Sequence, residues 1–194
     1  LSPFQDKDGN WIFYGRGNLG VCTINLPHVA LSAKGDINKF WEILDERLEA
    51  CRWVGEWRYN KMKGVKAKEA PILWQHGAIS RLNPEDDVIK AIDEKGFTVT
   101  LGYSGIYETV KVLTGKSHTT DDGFDLAEKI MIHLRDKCTE WKTEKPWLRF
   151  ALYGTPQEST TETFSKALIR DFGEIEGICG KGKLWVTNSY HVDI

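Results

Sequence analysis

The sequence predicts an α/β fold with several parallel strands, and three observations support this prediction. Short β-branched, apolar segments alternate with longer segments in which apolar residues recur every three or four positions. Glycine, proline, asparagine and aspartate mark most of the junctions between them. Three of the predicted strands also end in polar breaks, at residues 102–105, 154–156 and 187–189. This alternation is typical of a sheet covered by helices, with ligand sites at the carboxyl ends of its strands.

The first third of the chain predicts a turn, a strand and a long helix. Residues 5–10, QDKDGN, predict a hairpin tip because Asp-Gly and Gly-Asn favour positive φ. Residues 19–31, LGVCTINLPHVAL, predict a buried strand that Pro27 ends or bulges. A Gly-Asp turn and cap then precede a helix predicted over residues 38–63.

The rest of the chain repeats this alternation. The predicted elements are a strand or loop over 72–79, a helix over 83–96, a strand from 97 that breaks at Gly102, a helix to Gly115, a helix over 120–143, a strand over 147–156, a helix over 157–173 and a last strand over 183–192.

Composition excludes several functional classes. The 194 residues are 41% apolar and 28% charged, with a net charge of -2, so no overall basic field attracts nucleic acid or a membrane surface. No apolar run approaches the roughly 20 residues that span a bilayer. The four cysteines form no C-x-x-C pair or zinc spacing, and Cys51 and Cys138 are predicted to be buried structural thiols. A reducing, cytoplasmic compartment is the default.

The segment ALYGTPQEST, residues 151–160, has two interpretations. A strand that breaks at Gly154 and Pro156 before a hydroxyl-rich helix start can simply be a capped helix. The same amides and hydroxyls can also bind an anion such as a nucleotide phosphate. The glycines of TLGYSGIYE, residues 100–108, either turn the chain or let the backbone approach a ligand.

Other single residues remain open to two readings as well. Asn25 lies within an apolar strand and is either a structural hydrogen-bonding group or a substrate contact. His76, His118 and His191 are isolated in the sequence and are interpreted as structural.

Seven segments together resemble the anaerobic, glycyl-radical (class III) ribonucleoside-triphosphate reductases and cover nearly the whole chain. They are GRGNLGVCTINLPHVAL, KFWEILDERLEAC, KGVKAKEAPILWQHGAISRL, TLGYSGIYETVKVLTGKSHTT, IMIHLRDKCTEW, FALYGTPQEST and VTNSYHV. The resemblance implies that residues 1–194 are one segment of a catalytic ten-stranded α/β barrel shared with pyruvate formate-lyase. It implies a reaction in which a glycyl radical oxidises a cysteine, whose thiyl radical starts the loss of the ribose 2′ hydroxyl.

The resemblance also assigns site residues. Asn25 matches a catalytic asparagine near the ribose hydroxyls, where an amide can donate and accept without adding charge. The other matched positions are predicted to bind substrate, and those in the loop at 154–159 are predicted to bind its phosphates. The full set is Tyr103, Gly105, Gly154, Thr155, Pro156, Gln157, Ser159, Asn188 and Ser189.

Parts of the family's machinery are not found in this sequence. The thiyl cysteine of a Gly-Cys-Arg motif would precede Leu1, and Cys22 does not replace it because the family often has valine there. The glycyl radical and structural zinc are expected in a C-terminal part, and formate or a thiol redox protein is the expected reductant. The chain is therefore expected to be a fragment that is inactive alone.

The implied partners are a ribonucleoside triphosphate, an S-adenosylmethionine iron–sulfur activating enzyme and a second subunit in a homodimer. The alternatives are a non-catalytic nucleotide-binding or assembly module of the same fold, and a glycyl-radical enzyme with a non-nucleotide substrate.

Overall fold

The computed structural model describes residues 4–154 and 158–188, with the side chain of Glu158 left out, and it is mixed α/β. The strands are β1 (Asn18–Asn25), β2 (Thr98–Ser104) and β3 (Arg149–Gly154). They form a parallel sheet in the order β1-β2-β3. The helices are α1 (Leu26–Ser32), α2 (Ile37–Met62), α3 (Pro71–Trp74), α4 (Ile89–Glu94), α5 (Ile106–Thr114), α6 (Asp121–Glu144) and α7 (Glu158–Phe172), with a 3-10 turn at Ala67–Glu69.

The described residues divide into two compact units. The first unit takes its residues from 1–22, 52–101 and 137–151, and the second takes its residues from 23–51, 102–136 and 152–194. None of the helices in the described ranges combines the length and apolarity needed to span a lipid bilayer.

The core of the first unit is built around two aromatic rings. Trp141 and Phe150 are both 1% exposed, and their rings meet edge to face with centroids 4.7 Å apart. Gly55 lies beside them in α2: a Cβ at this position would lie 2.7 Å from Phe150 Cζ and 2.7 Å from Val99 Cγ1. The glycine is therefore needed for close packing, although it lowers the intrinsic helix propensity of α2.

We expect Gly55→Ala to lower the free energy of unfolding by about 1 kcal/mol. A gain of about 1 kcal/mol in helix propensity is outweighed by overpacking, which costs about 1–3 kcal/mol against rigid, buried neighbours. Urea unfolding of the chain measures the change. Glu46→Ala on an exposed position of the same helix is the control and is expected to leave stability nearly unchanged. A more stable Gly55→Ala variant would contradict the packing argument.

The second unit has an apolar cluster between α7 and the segment that follows it. Leu168, Ile178, Cys179 and Val186 are each at most 4% exposed and form this cluster. Elsewhere in the unit, His133 Nε2 lies 2.6 Å from Asp45 Oδ1 and links α6 to α2. The cluster fixes the path of residues 175–188, which bears on the site described below.

Several sequence predictions are confirmed. An antiparallel bridge pairs Gln5 with Trp11, and Gly9 has φ 81°, as expected for a hairpin tip. The α2 and α6 boundaries lie within one residue of those predicted at each end. The cap before α2 is also present, because the Asp36 carboxylate accepts the backbone N–H groups of Asn38 and Lys39.

The strand predicted over residues 19–31 is too long. β1 ends at Asn25, and Pro27 lies in the first turn of α1 instead of ending or bulging a strand. The physical reason is that proline has no N–H to give and its fixed φ suits the first helical turn. Most of β1 is half-buried, so the prediction of a fully buried strand is also wrong.

The helix predicted over residues 83–96 begins only at Ile89. Asp86 accepts the N–H of Asn83, and Asp87 accepts those of Gly64 and Ile89. These carboxylates therefore form local turns that compete with the helix. The sequence predicts instead that the same acidic residues lie in the first turn of that helix.

Two further predictions are corrected, and a third is confirmed in part. The segment 72–79, predicted to be a strand or a loop, contains no strand: α3 starts at Pro71 and turns follow it. The break in the second strand lies at Gly105 rather than at Gly102, which continues β2. Residues 183–188, the described part of the predicted last strand, are not a strand. Lys183 forms an isolated bridge with Gly180, and the residues after it bond to a helix carbonyl and a carboxylate.

Candidate active site at the strand ends

The carboxyl ends of the three strands lie in the second unit, at one edge of the sheet. β1 ends at Asn25, β2 at Ser104 and β3 at Gly154, and a helix follows each strand. Parallel neighbours bring their carboxyl ends to the same edge, where α/β proteins place their ligand sites.

The start of α5 packs directly against the start of α1. Gly105 has φ 87°, and a Cβ there would lie 2.3 Å from both Cδ and Cγ of Pro27. Only glycine meets both demands, because the conformation is left-handed and no space is left for a side chain. The two helix starts are thereby held together.

Asn25 serves as the N-cap of α1. Its Oδ1 accepts the backbone N–H of His28 at 3.4 Å, and its Nδ2 donates to the carbonyl of Phe164 at 3.3 Å. The half-buried side chain therefore joins β1 to α7 as well as capping a helix. Both hydrogen bonds are long, so the amide is weakly held.

The segment around Thr187 connects the starts of α5 and α7. The N–H of Gly105 donates to the carbonyl of Thr187 at 2.7 Å, and the N–H of Val186 donates to the carbonyl of Thr161 at 3.3 Å. Asn188, the residue after Thr187, lines a cavity at the start of α5.

A buried carboxylate holds this segment in place. Glu108, in the first turn of α5, is 0% exposed, and it accepts the N–H of Thr187 at 2.9 Å and its hydroxyl at 2.7 Å. Lys183 Nζ lies 3.1 Å from the same carboxylate. The charge is therefore paired and hydrogen-bonded, and it lies where the helix dipole favours an anion.

A cavity of about 130 Å³ opens at the start of α5. Its lining residues are Tyr103, Ser104, Gly105, Ile106, Tyr107, His118, Thr187 and Asn188. Burial raises the pKa of the Tyr103 hydroxyl, so that this group stays a hydrogen-bond donor at neutral pH.

The structure brings three of the predicted substrate residues together and leaves others apart. Tyr103, Gly105 and Asn188 line the cavity. Gly154 ends β3 and Ser159 is exposed in the first turn of α7; neither lines the cavity. Four predicted positions lie outside the described residues: Thr155, Pro156, Gln157 and Ser189.

Sequence reasoning missed four residues at this site. Glu108 and Lys183 form the buried pair, while Ser104 and His118 contribute polar atoms to the cavity. The position of Glu108 in the first turn of a predicted helix could have indicated its role, because a helix N-terminus favours a negative charge. No sequence pattern indicated that His118 would return to the end of β2, since fourteen positions separate it from Ser104.

The thiols and possible metal ligands do not form a second centre in the described part of the chain. Cys51, Cys138 and Cys179 are buried, Cys22 is half-buried and none is in a disulfide. Burial raises the pKa of Cys138 to about 12, which keeps that thiol protonated. Within 4–154 and 158–188, no three His, Cys, Asp or Glu side chains are grouped to hold a metal ion.

Comparisons with known proteins identify relatives of this chain. The family model described as anaerobic ribonucleoside-triphosphate reductase matches residues 3–194. The chain is 40% identical over 197 residues to the anaerobic ribonucleoside-triphosphate reductase of Escherichia coli, covering 100% of the chain and 27% of the relative. It is 39% identical over 199 residues to that of Enterobacteria phage T4, covering 100% of the chain and 31% of the relative.

Solved structures give the same result for the fold. An anaerobic ribonucleotide reductase matches 90% of this chain with a TM-score of 0.64 and 18% identity, over 27% of its own length. The Thermotoga maritima anaerobic ribonucleotide reductase in complex with dATP and CTP matches 90% of this chain with a TM-score of 0.64 and 19% identity, over 28% of its length.

The chain spans about a quarter to a third of the length of the curated relatives it matches, at 27% and 31% of the two named above. Its match to the family model nevertheless extends over nearly all of its residues. This chain belongs to the anaerobic ribonucleoside-triphosphate reductase family.

Proposed function

We propose that this chain forms part of the catalytic barrel of an anaerobic ribonucleoside-triphosphate reductase and contributes residues to its substrate site. The single observation that carries the proposal is the gathering of Tyr103, Gly105 and Asn188 around one cavity at the strand ends of a family member. The three parallel strands and the likeness to anaerobic ribonucleotide reductases support a ten-stranded barrel in the complete enzyme.

The proposed substrate is a ribonucleoside triphosphate, which the complete enzyme converts to the deoxyribonucleoside triphosphate. A relative in complex with dATP and CTP supports nucleotide binding at this fold. The Asn25 amide is weakly held by its own protein contacts, so it can turn toward ribose hydroxyls and both donate and accept there. Phosphates suit the start of a helix, and α7 begins at Glu158, directly after the matched loop.

The radical chemistry and the zinc are assigned to other parts of the complete enzyme. A glycyl radical and the thiyl radical derived from it would supply the hydrogen abstraction that starts ribose reduction. Cys22 is not proposed to take the place of the family's thiyl cysteine, because the family often has valine at this position. The chain's own contribution is to bind and orient the substrate.

The wider partners follow from family membership. They are an S-adenosylmethionine iron–sulfur activating enzyme, a second subunit in a homodimer, and either formate or a thiol redox protein as reductant. Cysteines without disulfides are consistent with a reducing cytoplasm.

Isothermal titration of the chain, and of a complete enzyme that contains it, with CTP tests the proposal. CTP is expected to bind and cytidine to bind far more weakly, because cytidine has no phosphates. Tyr103→Phe is expected to weaken CTP binding by about three- to tenfold, the usual cost of one hydrogen bond. Tyr14→Phe is the control, because Tyr14 is 71% exposed and belongs to the other unit. Absence of CTP binding in both preparations would favour a non-catalytic assembly module instead.

A further inference from the structure

In the part of the chain that the structure describes, the cavity at the start of α5 has two lining residues, Ser104 and His118, each with a buried polar atom that lacks a hydrogen-bond partner. Ser104 is 1% exposed, and no hydrogen bond to its Oγ is found among the described residues. Within the same part of the chain, Nδ1 of His118 is also buried and unbonded. Both residues line the cavity. Since more than nine in ten buried polar groups are bonded, the pair indicates a polar occupant.

The backbone at this point favours an occupant with negative charge. Gly105 is the N-cap of α5 and, having no side chain, provides no side-chain cap. The first amides of the nine-residue helix, at Ile106 and Tyr107, belong to the cavity lining. Free N–H groups and the helix dipole together attract an anion.

The charged side chains around the cavity add to this preference. The Nζ atoms of Lys183 and Lys111 lie 4.7 Å and 5.3 Å from the centre of the Tyr107 ring, and Lys111 also donates to the Tyr107 hydroxyl at 3.0 Å. Glu108 offsets the charge of Lys183. The His118 ring meets Tyr107 edge to face at 5.6 Å. With two lysines and one glutamate, the balance of these charges is positive by one.

The cavity has room for a small anionic group. Its volume is about 130 Å³ and it is partly open, so a carboxylate or a phosphoryl group can enter.

We propose that this cavity is a subsite for a small oxyanion, held by the Ser104 hydroxyl, the His118 imidazole and the first amides of α5. The inference rests on and deepens the proposed function, because Tyr103, Gly105 and Asn188 also line the cavity. This subsite at the start of α5 is a second anion-binding position. The first is the start of α7, where the substrate phosphates are proposed to bind. The occupant is either a phosphoryl group of the nucleotide or a free carboxylate or phosphate.

Titration of the ¹⁵N-histidine-labelled chain with inorganic phosphate and with acetate, at constant ionic strength set by chloride, tests the subsite by NMR. The ring nitrogens of His118 are expected to shift saturably, and the His118→Gln variant assigns their signals. His76, which is exposed, and His133, which is paired with Asp45, are internal controls expected to stay unchanged. A shift of all three histidines together, or of none, would overturn the proposal.

Matched serine variants locate the subsite. Ser104→Ala removes a hydroxyl without a protein partner, so it is expected to keep the stability of the chain while weakening phosphate binding about tenfold. Ser117→Ala, which removes the hydroxyl bonded to Thr119 in the neighbouring loop, is expected to change nothing. Equal phosphate affinity in the two variants would contradict the assignment.

Competition separates the two sources of the anion. If the occupant is a phosphoryl group of the nucleotide, CTP displaces bound phosphate. If the occupant is a free anion, phosphate and CTP bind at the same time. Either result supports the subsite. Because phosphate and acetate binding is read without nucleotide, its failure is distinguishable from a failure of CTP binding.

Discussion

Glu108→Ala is expected to lower the free energy of unfolding by about 3–5 kcal/mol, the usual cost of removing one partner from a buried ion pair. Glu108 is 0% exposed and the side chain of Lys183 only 13%. The substitution leaves the Lys183 ammonium without this carboxylate and removes the acceptor for the N–H and hydroxyl of Thr187. Urea unfolding followed by circular dichroism measures the loss.

The control is Glu162→Ala, which breaks an ion pair between Glu162 and Lys166 on the exposed face of α7. It is expected to change stability little, because exposed pairs of this spacing contribute little. A double-mutant cycle with Lys183→Met should give a coupling energy of about 1–3 kcal/mol, as is common for residues in one buried network. If Glu108→Ala and Glu162→Ala have equal effects, Glu108 does not hold the 183–188 segment in place.

Asn25→Ala in a complete enzyme is expected to reduce turnover by about a hundredfold or more, as is usual when one hydrogen-bond donor is removed from a reacting centre. The expected loss of stability is much smaller, about 1 kcal/mol, because the side chain caps α1 through a hydrogen bond of 3.4 Å. Steady-state turnover and thermal unfolding of the same preparation measure the two quantities.

Asn25→Ser distinguishes the two roles of this residue. Serine is a good N-cap but has no amide, so it should restore most of the stability while leaving turnover low. Parallel losses of turnover and stability in Asn25→Ala, or recovery of both in Asn25→Ser, would show that the residue acts only as a cap.

Much of the fold could be predicted from local patterns. The apolar periodicity of α2 and α6 extends over many turns, and each helix has a clear cap, so the predicted ends were close. Where local signals compete, prediction was wrong. Pro27 can end a strand or begin a helix, and Asp86 and Asp87 can open a helix or form turns. For the two aspartates, the turn is stabilised by hydrogen bonds from the N–H of Asn83 nearby and from the N–H of Gly64, which is distant in sequence.

The candidate site shows the same division. Glycines and hydroxyls at strand ends indicated the edge of the sheet where the cavity lies, because parallel topology alone brings those ends together. Ser104, His118 and Glu108 could not be predicted as neighbours. They are close together because the loop before α6 and the segment after α7 both contact α5. Tertiary contacts of this kind are not encoded by a periodic pattern in the sequence.

The contact between Pro27 and Gly105 has a consequence for the evolution of this protein. Because any side chain at position 105 would occupy the space of the proline ring, position 105 cannot change while Pro27 is present. A lineage that gains even a methyl group at 105 must first lose the ring at 27 and also adopt a φ that L-residues disfavour. In a combinatorial library, side chains at position 105 should therefore be tolerated only in sequences that have lost the ring at position 27.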